Sequence, residues 1–410
     1  MFNNTLWRRA THHLEIRAAR ANEMEEFWCV STAFVGEDLE RIRRVPPEYT
    51  LCVFKDGKIA TTYIADPFAM SFNGNEAPVV MIDAVSTLPI YRRRGYLRKL
   101  VTNHFERLHE HGEQSMAILW AGQAAIYQRY GYAVVSTRNA YNIEPRYLKF
   151  TLAQSVPGAF REVGDDEFGL IVELYQSFRA ERTGYLHRTP LSWERNILTP
   201  PPKPWGGVLG KVVYEEEGKP LGYLVYTIER VDWPEYRGQG LIIRDLVWLR
   251  TSAYQAMWGY LSHMDNVGNI LWRNVPPDDP LPYLLLEPRM LNVTLGDGIM
   301  ARIVDVERAL TLRRYPVTGT LTFEVLDELC PWNHGRWQLE TSATEASACR
   351  TNTSPQLRMP VSTLAMIIFN QISATEAARM GCLDVLEPGA LSLWDAVMRT
   401  AYRPFCADEF

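Results

Sequence analysis

The chain contains no C-x-x-C pair: its six cysteines (Cys29, Cys52, Cys330, Cys349, Cys382 and Cys406) are scattered over 410 residues. Such spacing argues against a disulfide framework and fits free or buried thiols in a reducing compartment, so a cytoplasmic protein is expected. No apolar run reaches the roughly 20 residues a membrane span needs, and no membrane partner is expected. The opening segment, MFNNTLWRRATHHLEIRAAR, lacks the apolar stretch of a signal peptide. Positive charge is not in excess either. A net charge of −5 removes the bulk attraction expected of a nucleic-acid binder. Zinc-like spacing is also missing: His109 and His111 in HEHG fall on different faces of a helix, so no metal is expected.

What is present is the composition of a soluble globular protein, 47% apolar and 22% charged. Its length exceeds what one hydrophobic core usually serves, so two or three domains are expected. The first segment alternates strand and helix signals. HLEIRAAR reads as a strand, residues 22–34 as a helix, and YTLCVFKDGKIATTYIADPFAMSFN as a hairpin turning at Asp56-Gly57. PVVMIDAVSTL reads as a central strand. The helix that follows carries Leu97, Leu100, Val101, Phe105 and Leu108 on one stripe and stops at Gly112. SMAILW is a further strand, QAAIYQRY a short helix ending at Gly131, and YAVVSTRNAYNI another strand.

A weaker echo comes next. KVVYEEEGKPLGYLVYTIER is a hairpin around Glu217-Gly218, QGLIIRDLVWL a strand, SAYQAMWGYLSHM a helix and GNILWRNV a strand. The order repeats that of residues 50–120 and predicts a duplicated fold. The proline-rich LTPPPKPWGG is a rigid loop inside the second copy. From about Leu291 the pattern changes to strands in MARIVDV and GTLTFEVLD and helices in VSTLAMIIFN and PGALSLWDAVMRT, an α+β domain of another kind.

One stretch conflicts with elementary electrostatics. In AVSTLPIYRRRGYLRKL, Arg92, Arg93 and Arg94 stand at the start of a helix, where cations oppose the macrodipole. Each should cost a few tenths of a kcal/mol there. The plain alternative is a solvated charge run; a nearby anion would remove the conflict. Helix-start N–H groups beside Gly95 can cradle a pyrophosphate, and arginines add charge-assisted hydrogen bonds.

Strand, RRRGYL and helix together resemble the acyl-CoA motif of the GNAT superfamily of N-acetyltransferases, Q/R-x-x-G-x-G/A. Arg92 takes the first position and Gly95 the first glycine; Leu97 departs from the usual Gly/Ala. With AIYQRYGY, the degenerate second copy and the terminal FCADEF, the chain resembles the enhanced-intracellular-survival (Eis-type) acetyltransferases over essentially all its length. The resemblance implies two tandem GNAT-like domains, the second degenerate, followed by a sterol-carrier-protein-like α+β domain. On that basis the boundaries are 1–148, 149–290 and 291–410. It also implies a homo-oligomer, a hexamer.

The same resemblance assigns roles by position. Acetyl-CoA is the expected cofactor, held by Val85, Ser86 and Thr87 through main-chain groups. Arg92, Arg93, Arg94, Gly95, Tyr96, Leu97 and Arg98 form the phosphate turn, and Gly122 and Gln123 a second contact. Arg93 and Arg94 are favoured nearest the phosphates. Tyr127 is the candidate general acid, preferred over Tyr130 and Tyr132 by family position, since a phenol can protonate a departing thiolate. The base implied is the α-carboxylate of Phe410, against the alternative of a frayed tail. His104, between apolar neighbours, reads as a core residue.

The acceptor is expected to be a small-molecule amine, with aminoglycoside-like polyamines the class considered. Glu25, Glu26, Asp408 and Glu409 are candidates to meet its charge, and Phe27, Trp28 and Trp205 to wall the cleft. For each of these residues taken singly, a surface acid or a packed aromatic is the favoured reading. The functional alternatives are a non-enzymatic carrier holding an apolar ligand in the C-terminal domain, and a transferase of longer acyl or aminoacyl groups.

Overall fold

The computed structural model describes residues 13–32, 45–151, 157–199, 207–233 and 236–410. Along the first segment run β1 (Leu14–Arg17), α1 (Met24–Thr32), β2 (Cys52–Lys55), β3 (Lys58–Phe72) and β4 (Asn75–Thr87). They are followed by α2 (Tyr96–His111), β5 (Met116–Leu119), α3 (Ala124–Gln128) and β6 (Ala133–Val134). The turn between β2 and β3 places Asp56 and Gly57 at φ 51° and 80°, the doubly positive pair that two-residue hairpins favour. Helix α2 buries Leu100, Val101, His104, Phe105 and Leu108 and ends at Gly112, which is left-handed and donates to the Leu108 carbonyl. Its apolar stripe is as the spacing predicts.

The middle of the chain supplies β7 (Thr137–Ile143), β8 (Ala159–Glu162), α4 (Phe168–Arg179), β9 (Thr183–Leu186), β10 (Val208–Glu216) and β11 (Lys219–Trp233). Next come β12 (Tyr236–Trp248), α5 (Thr251–Ser262), β13 (Asn269–Val275), β14 (Thr294–Asp297) and β15 (Met300–Ile303). The last segment holds β16 (Gly319–Leu326), β17 (Gly335–Thr341), β18 (Ala346–Arg350), β19 (Leu357–Pro360), α6 (Val361–Ile368), β20 (Asp384–Val385) and α7 (Ala390–Met398).

Three sheets result. The first is ordered β1-β2-β3-β4-β5-β15-β6, with β9 on β3; the second is β14-β7-β13-β12-β11-β10-β8; the third is β18-β17-β16-β19-β20. The order hairpin, strand, helix, strand recurs as β2-β3-β4-α2-β5 and β10-β11-β12-α5-β13, so the repeat read in the sequence is a repeat of structure. Among the described residues, only β4–β5 and β12–β13 pair in parallel within the two GNAT-like sheets, once in each copy.

The sheets do not divide where the linear boundaries at 148 and 290 were drawn. YAVVSTRNAYNI is two strands, not one: β6 lies in the first sheet and β7 in the second. MARIVDV, expected in the third domain, supplies β15, which inserts between β5 and β6 of the first sheet. The cause is a two-stranded ribbon, β6–β7 against β15–β14, that passes from one sheet to the other. It bends at Ser136, whose carbonyl accepts from Gly298 N–H at 3.0 Å and whose hydroxyl accepts from Ile299 N–H at 3.0 Å. A Cβ on Gly298 would lie 2.3 Å from the Ser136 hydroxyl, so the crossing requires glycine.

The third sheet and its helices share one core with the face of the first sheet opposite α2. Met70, Val79, Met81 and Ile118 pack in the same cluster as Phe323, Leu364 and Trp394. Buried Arg302 of β15 joins the two through Asp327, both carboxylate oxygens at 2.7 Å, and through the Tyr130 carbonyl at 2.7 Å. No helix among the described residues is long and apolar enough to cross a membrane.

Candidate active site

Strand β4 pairs with β5 only through Val79–Met81 against Met116–Ile118, then runs on to Thr87 without it. The two parallel strands therefore fork. At the fork β4 carries a bulge: Thr62 opposes Ser86 and Ile64 opposes Asp83, so Ala84 and Val85 together face Tyr63. Ala84 sits at φ 50°, an uncommon conformation for alanine, and such outliers gather at functional sites. Val85, Ser86 and Thr87 are half-buried at the mouth of the fork.

The arginine turn follows. Arg92 folds back, its Nε donating to the Thr87 carbonyl at 3.0 Å. Arg93 at φ 60° and Gly95 at φ 75° are both left-handed, and Gly95 caps α2. Alternation of this kind turns successive N–H groups into one concavity, and no acidic side chain stands in the first turn of α2. Arg93, Arg94 and Arg98 are exposed and form no ion pair with a carboxylate among the described residues. Tyr96 is buried and Leu97 half-buried. A cationic, glycine-capped helix start, with Arg94 over the Tyr91 ring and no carboxylate on Arg93 or Arg94 among the described residues, fits the diphosphate of an acyl-CoA. Gly122 and Gln123 are exposed beyond β5, with Gln123 capping α3.

Tyr127 lies on α3, half-buried, 5.9 Å ring to ring from Tyr132. Burial, with the Asp83 carboxylate nearby, pushes its phenol up to about 12. Tyr130 and Tyr132 are buried and belong to the core. His104 is buried on Tyr63 at 3.1 Å, and desolvation lowers it to about 3, so it is a neutral packing residue. His109 pairs with Asp305 at 2.8 Å and stacks on Trp332. No group of three or more potential metal ligands occurs among the described residues.

The C-terminal tail is held from several sides. Trp120, directly after β5, donates its indole N–H to the Asp408 carbonyl at 2.9 Å. Asn196 donates to the Glu409 carbonyl at 3.0 Å and Asn274 to the Ala407 carbonyl at 3.3 Å. Phe410 packs, half-buried, on the apolar cluster that Trp120 and Phe68 also meet. The tail thus ends against the first sheet.

Several proposed acceptor residues are otherwise engaged. Asp408 is buried in an ion pair with Arg188 at 2.6 Å, so it cannot present charge to a ligand. Glu409 is exposed but paired with Arg138 at 3.0 Å. Glu26 accepts from the Ile59 N–H at 3.0 Å, tying α1 to β3. Phe27 and Trp28 are buried against each other in the core beneath α1 and wall no cleft, because α1 uses that face to cover β3 and β4. Glu25 is exposed, and Trp205 lies outside the described residues.

Sequence reasoning missed Trp120, Arg138 and Arg188, which hold the tail, and Asp66 of β3. Trp120 ends an apolar strand and was open to notice. The others stand in no motif. Asp66 shares a sheet face with Phe68 and Met70, opposite Met81 on β4. It has no hydrogen-bond or ion-pair partner among the described residues, and burial pushes its carboxyl up to about 6.

Comparison with known proteins agrees with this architecture. Residues 15–135 match an acetyltransferase (GNAT) domain family, residues 184–303 a second acetyltransferase (GNAT) domain family, and residues 306–407 a sterol carrier protein domain family. An uncharacterized N-acetyltransferase of Streptomyces avermitilis is 28% identical over 349 residues, 82% of this chain and 83% of that protein. N-acetyltransferase Eis of Mycobacterium tuberculosis is 25% identical over 341 residues, 81% of each. The crystal structure of Eis1 from Mycobacterium abscessus is 27% identical with a TM-score of 0.81, covering 97% of this chain and 100% of that one. A GCN5-related N-acetyltransferase from Anabaena variabilis has a TM-score of 0.85 at 23% identity over 97% and 100%, and shows the same fold. These matches favour an acyltransferase over the carrier alternative. The chain is thus an N-acetyltransferase of GNAT type, two GNAT domains followed by a sterol-carrier-like domain, and over most of its length it is similar to Eis.

Proposed function

We propose that the protein transfers an acetyl group from acetyl-CoA to amine acceptors at the fork of the first GNAT copy. Acetyl-CoA supplies the acyl group as a thioester. Arg93, Arg94 and the N–H groups around Gly95 hold its diphosphate, and main-chain groups of Val85, Ser86 and Thr87 align the pantetheine arm and polarise the carbonyl. Tyr127 keeps its proton throughout the working pH range. A phenol near 12 is a weaker acid than free tyrosine, so it serves first as a hydrogen-bond donor to the departing sulfur. Its proton follows as charge builds there. The Phe410 α-carboxylate takes the proton from the ammonium, directly or through water.

The observation that carries this reading is the Trp120–Asp408 hydrogen bond, which ties the end of the chain to the strand that forms one arm of the fork. A second feature supports a cationic acceptor: Asp66, between the apolar Ile64 and Phe68 on one sheet face, has no ion-pair partner among the described residues, and Asp83 lies diagonally across from it on the same face, so an ammonium would be a natural partner there. Aminoglycoside-like polyamines carry such groups in quantity. A cytoplasmic homo-hexamer belongs to the same proposal and is testable by light scattering. The deciding experiment is thiol release from acetyl-CoA across a panel of amines, with mass spectrometry of the products. Thiol release without any acetylated amine, or activity only with longer acyl donors, would overturn it.

A further inference from the structure

The second copy has its own fork. Strands β12 and β13 pair in parallel only at Gly240–Ile243 against Asn269–Trp272, while β12 continues through Asp245 to Trp248. In the first copy the matching space receives the pantetheine arm in the reading above. Here the chain's own tail fills it. Phe405 is buried among Tyr175, Tyr185, Tyr223 and Val247, and a small cavity beside it is lined by Asp245, Trp272, Asn274 and Ala407.

The tail's buried polar contacts centre on one arginine. Arg188, just past β9, donates from Nε to Asp408 at 2.6 Å and from Nη1 to Asp245 of β12 at 2.5 Å. Its side chain is 1% exposed and lies over the Tyr175 and Trp193 rings at 4.0 and 4.5 Å. Tyr223 donates to the same Asp245 oxygen at 2.6 Å. Burial works against the charge on Arg188, but the two carboxylates outweigh it and hold its pKa well above the ordinary guanidinium value. On β9, Gly184 is at φ 98°, and a Cβ there would lie 2.5 Å from the Phe405 carbonyl oxygen. The Phe405 N–H donates to the Thr183 carbonyl at 2.9 Å. Glycine at 184 is therefore what lets the tail backbone lie against β9.

We infer that the degenerate GNAT copy is a clamp for the C-terminal tail, and that Arg188 is the positioning residue that fixes where Phe410 ends. The clamp occupies the second fork, so that copy trades a ligand site for control of the first one. This inference rests on the proposal that the Phe410 carboxylate is the base, but its own test does not.

The test measures tail release and turnover separately on the full-length protein. Arg188→Gln breaks both ion pairs, Asp408→Asn removes one charge while keeping the shape, and Gly184→Ala crowds the tail backbone without touching a charge. Carboxypeptidase removal of Phe410, followed by mass spectrometry, should run at least tenfold faster in all three. Turnover should fall 10–100-fold with the KM for acetyl-CoA unchanged, and Arg188→Lys should recover part of the loss. Thermal melts identify any variant that fails to fold, and Asp408→Asn, the mildest, then decides. A tail trimmed no faster than wild type in folded Asp408→Asn and Gly184→Ala would overturn the clamp. A tail that is freed while turnover stays at the wild-type level supports the clamp and removes Phe410 as the base.

Discussion

The indole N–H of Trp120 reaches the Asp408 carbonyl at 2.9 Å across 288 residues of sequence, joining β5 of the first copy to the end of the chain. Trp120→Phe keeps the ring and removes the donor. A net hydrogen bond is worth about 1 kcal/mol, so turnover should drop about three- to tenfold while acetyl-CoA affinity measured by calorimetry stays the same. A drop in cofactor affinity instead would mean that Trp120 serves the cofactor and not the tail.

Tyr127 gives a prediction in pH. Because burial raises its phenol to about 12, the proton is present at every working pH, and no alkaline limb below about pH 11 should belong to it. Tyr127→Phe should lower turnover by roughly 10²–10⁴. The ratio of wild-type to variant rates should stay constant from pH 6 to 10. A ratio that collapses with rising pH in that range would show a phenol that ionises far below its expected value.

Asp66 works in the opposite sense. Its folded pKa of about 6 lies above the 3.8 of an unperturbed aspartate, so the charged form is disfavoured by folding. The stability associated with its neutral form is complete below pH 4 and is lost as pH rises through 6. Asp66→Asn should therefore raise the melting temperature at pH 7.5, by an amount equivalent to at most about 3 kcal/mol, and leave it unchanged near pH 3.5. The same variant should raise KM for polycationic acceptors and spare that for acetyl-CoA. Equal melting temperatures at both pH values would mean that Asp66 finds a partner in solution.

Gly131 explains the YGY signal in terms of packing. It is left-handed at φ 83°, and a Cβ there would stand 2.8 Å from Arg302 Nε, the guanidinium that also holds the Tyr130 carbonyl and Asp327. Gly131→Ala should cost about 2 kcal/mol from the left-handed backbone and the displaced arginine. A urea midpoint equal to wild type would contradict this.

The parts of the fold legible in the sequence are those made by neighbours. The stripe Leu100, Val101, Phe105, Leu108 announces α2, the Asp56-Gly57 and Glu217-Gly218 pairs announce their hairpins, and RRRG marks the phosphate turn because its charges oppose a helix dipole. What stayed hidden depends on partners far apart in the chain. Ser136 and Gly298 bend one ribbon between two sheets, yet neither stands in a local pattern that says so. Arg188 finds Asp245 and Asp408 at separations of 57 and 220 residues. Trp28 could have walled a cleft or filled a core, since an amphipathic helix buries aromatics in either case; α1 packing on β3 and β4 decides for the core.

The chain end makes a base only by its placement. A terminal carboxylate of ordinary pKa, about 3.3–3.7, is a weak base for an ammonium, so it depends on placement close to the acceptor. The tail is secured up to Glu409 by Trp120, Asn196, Arg138 and Arg188, while Phe410 adds only its half-buried ring. Deleting Phe410 therefore leaves those anchors intact and withdraws the carboxylate by one residue, at most about 3.6 Å. A C-terminal tag keeps the ring and removes the carboxylate from the position altogether. Both changes should cut turnover at least a hundredfold, with acetyl-CoA affinity and melting temperature close to wild type. Adding Phe410→Leu, which keeps the carboxylate and most of the apolar contact, should restore activity to within about tenfold. If the tagged protein acetylates amines at the untagged rate, the terminal carboxylate is not the base, and the unpaired carboxylate of Asp66 becomes the group to test in its place.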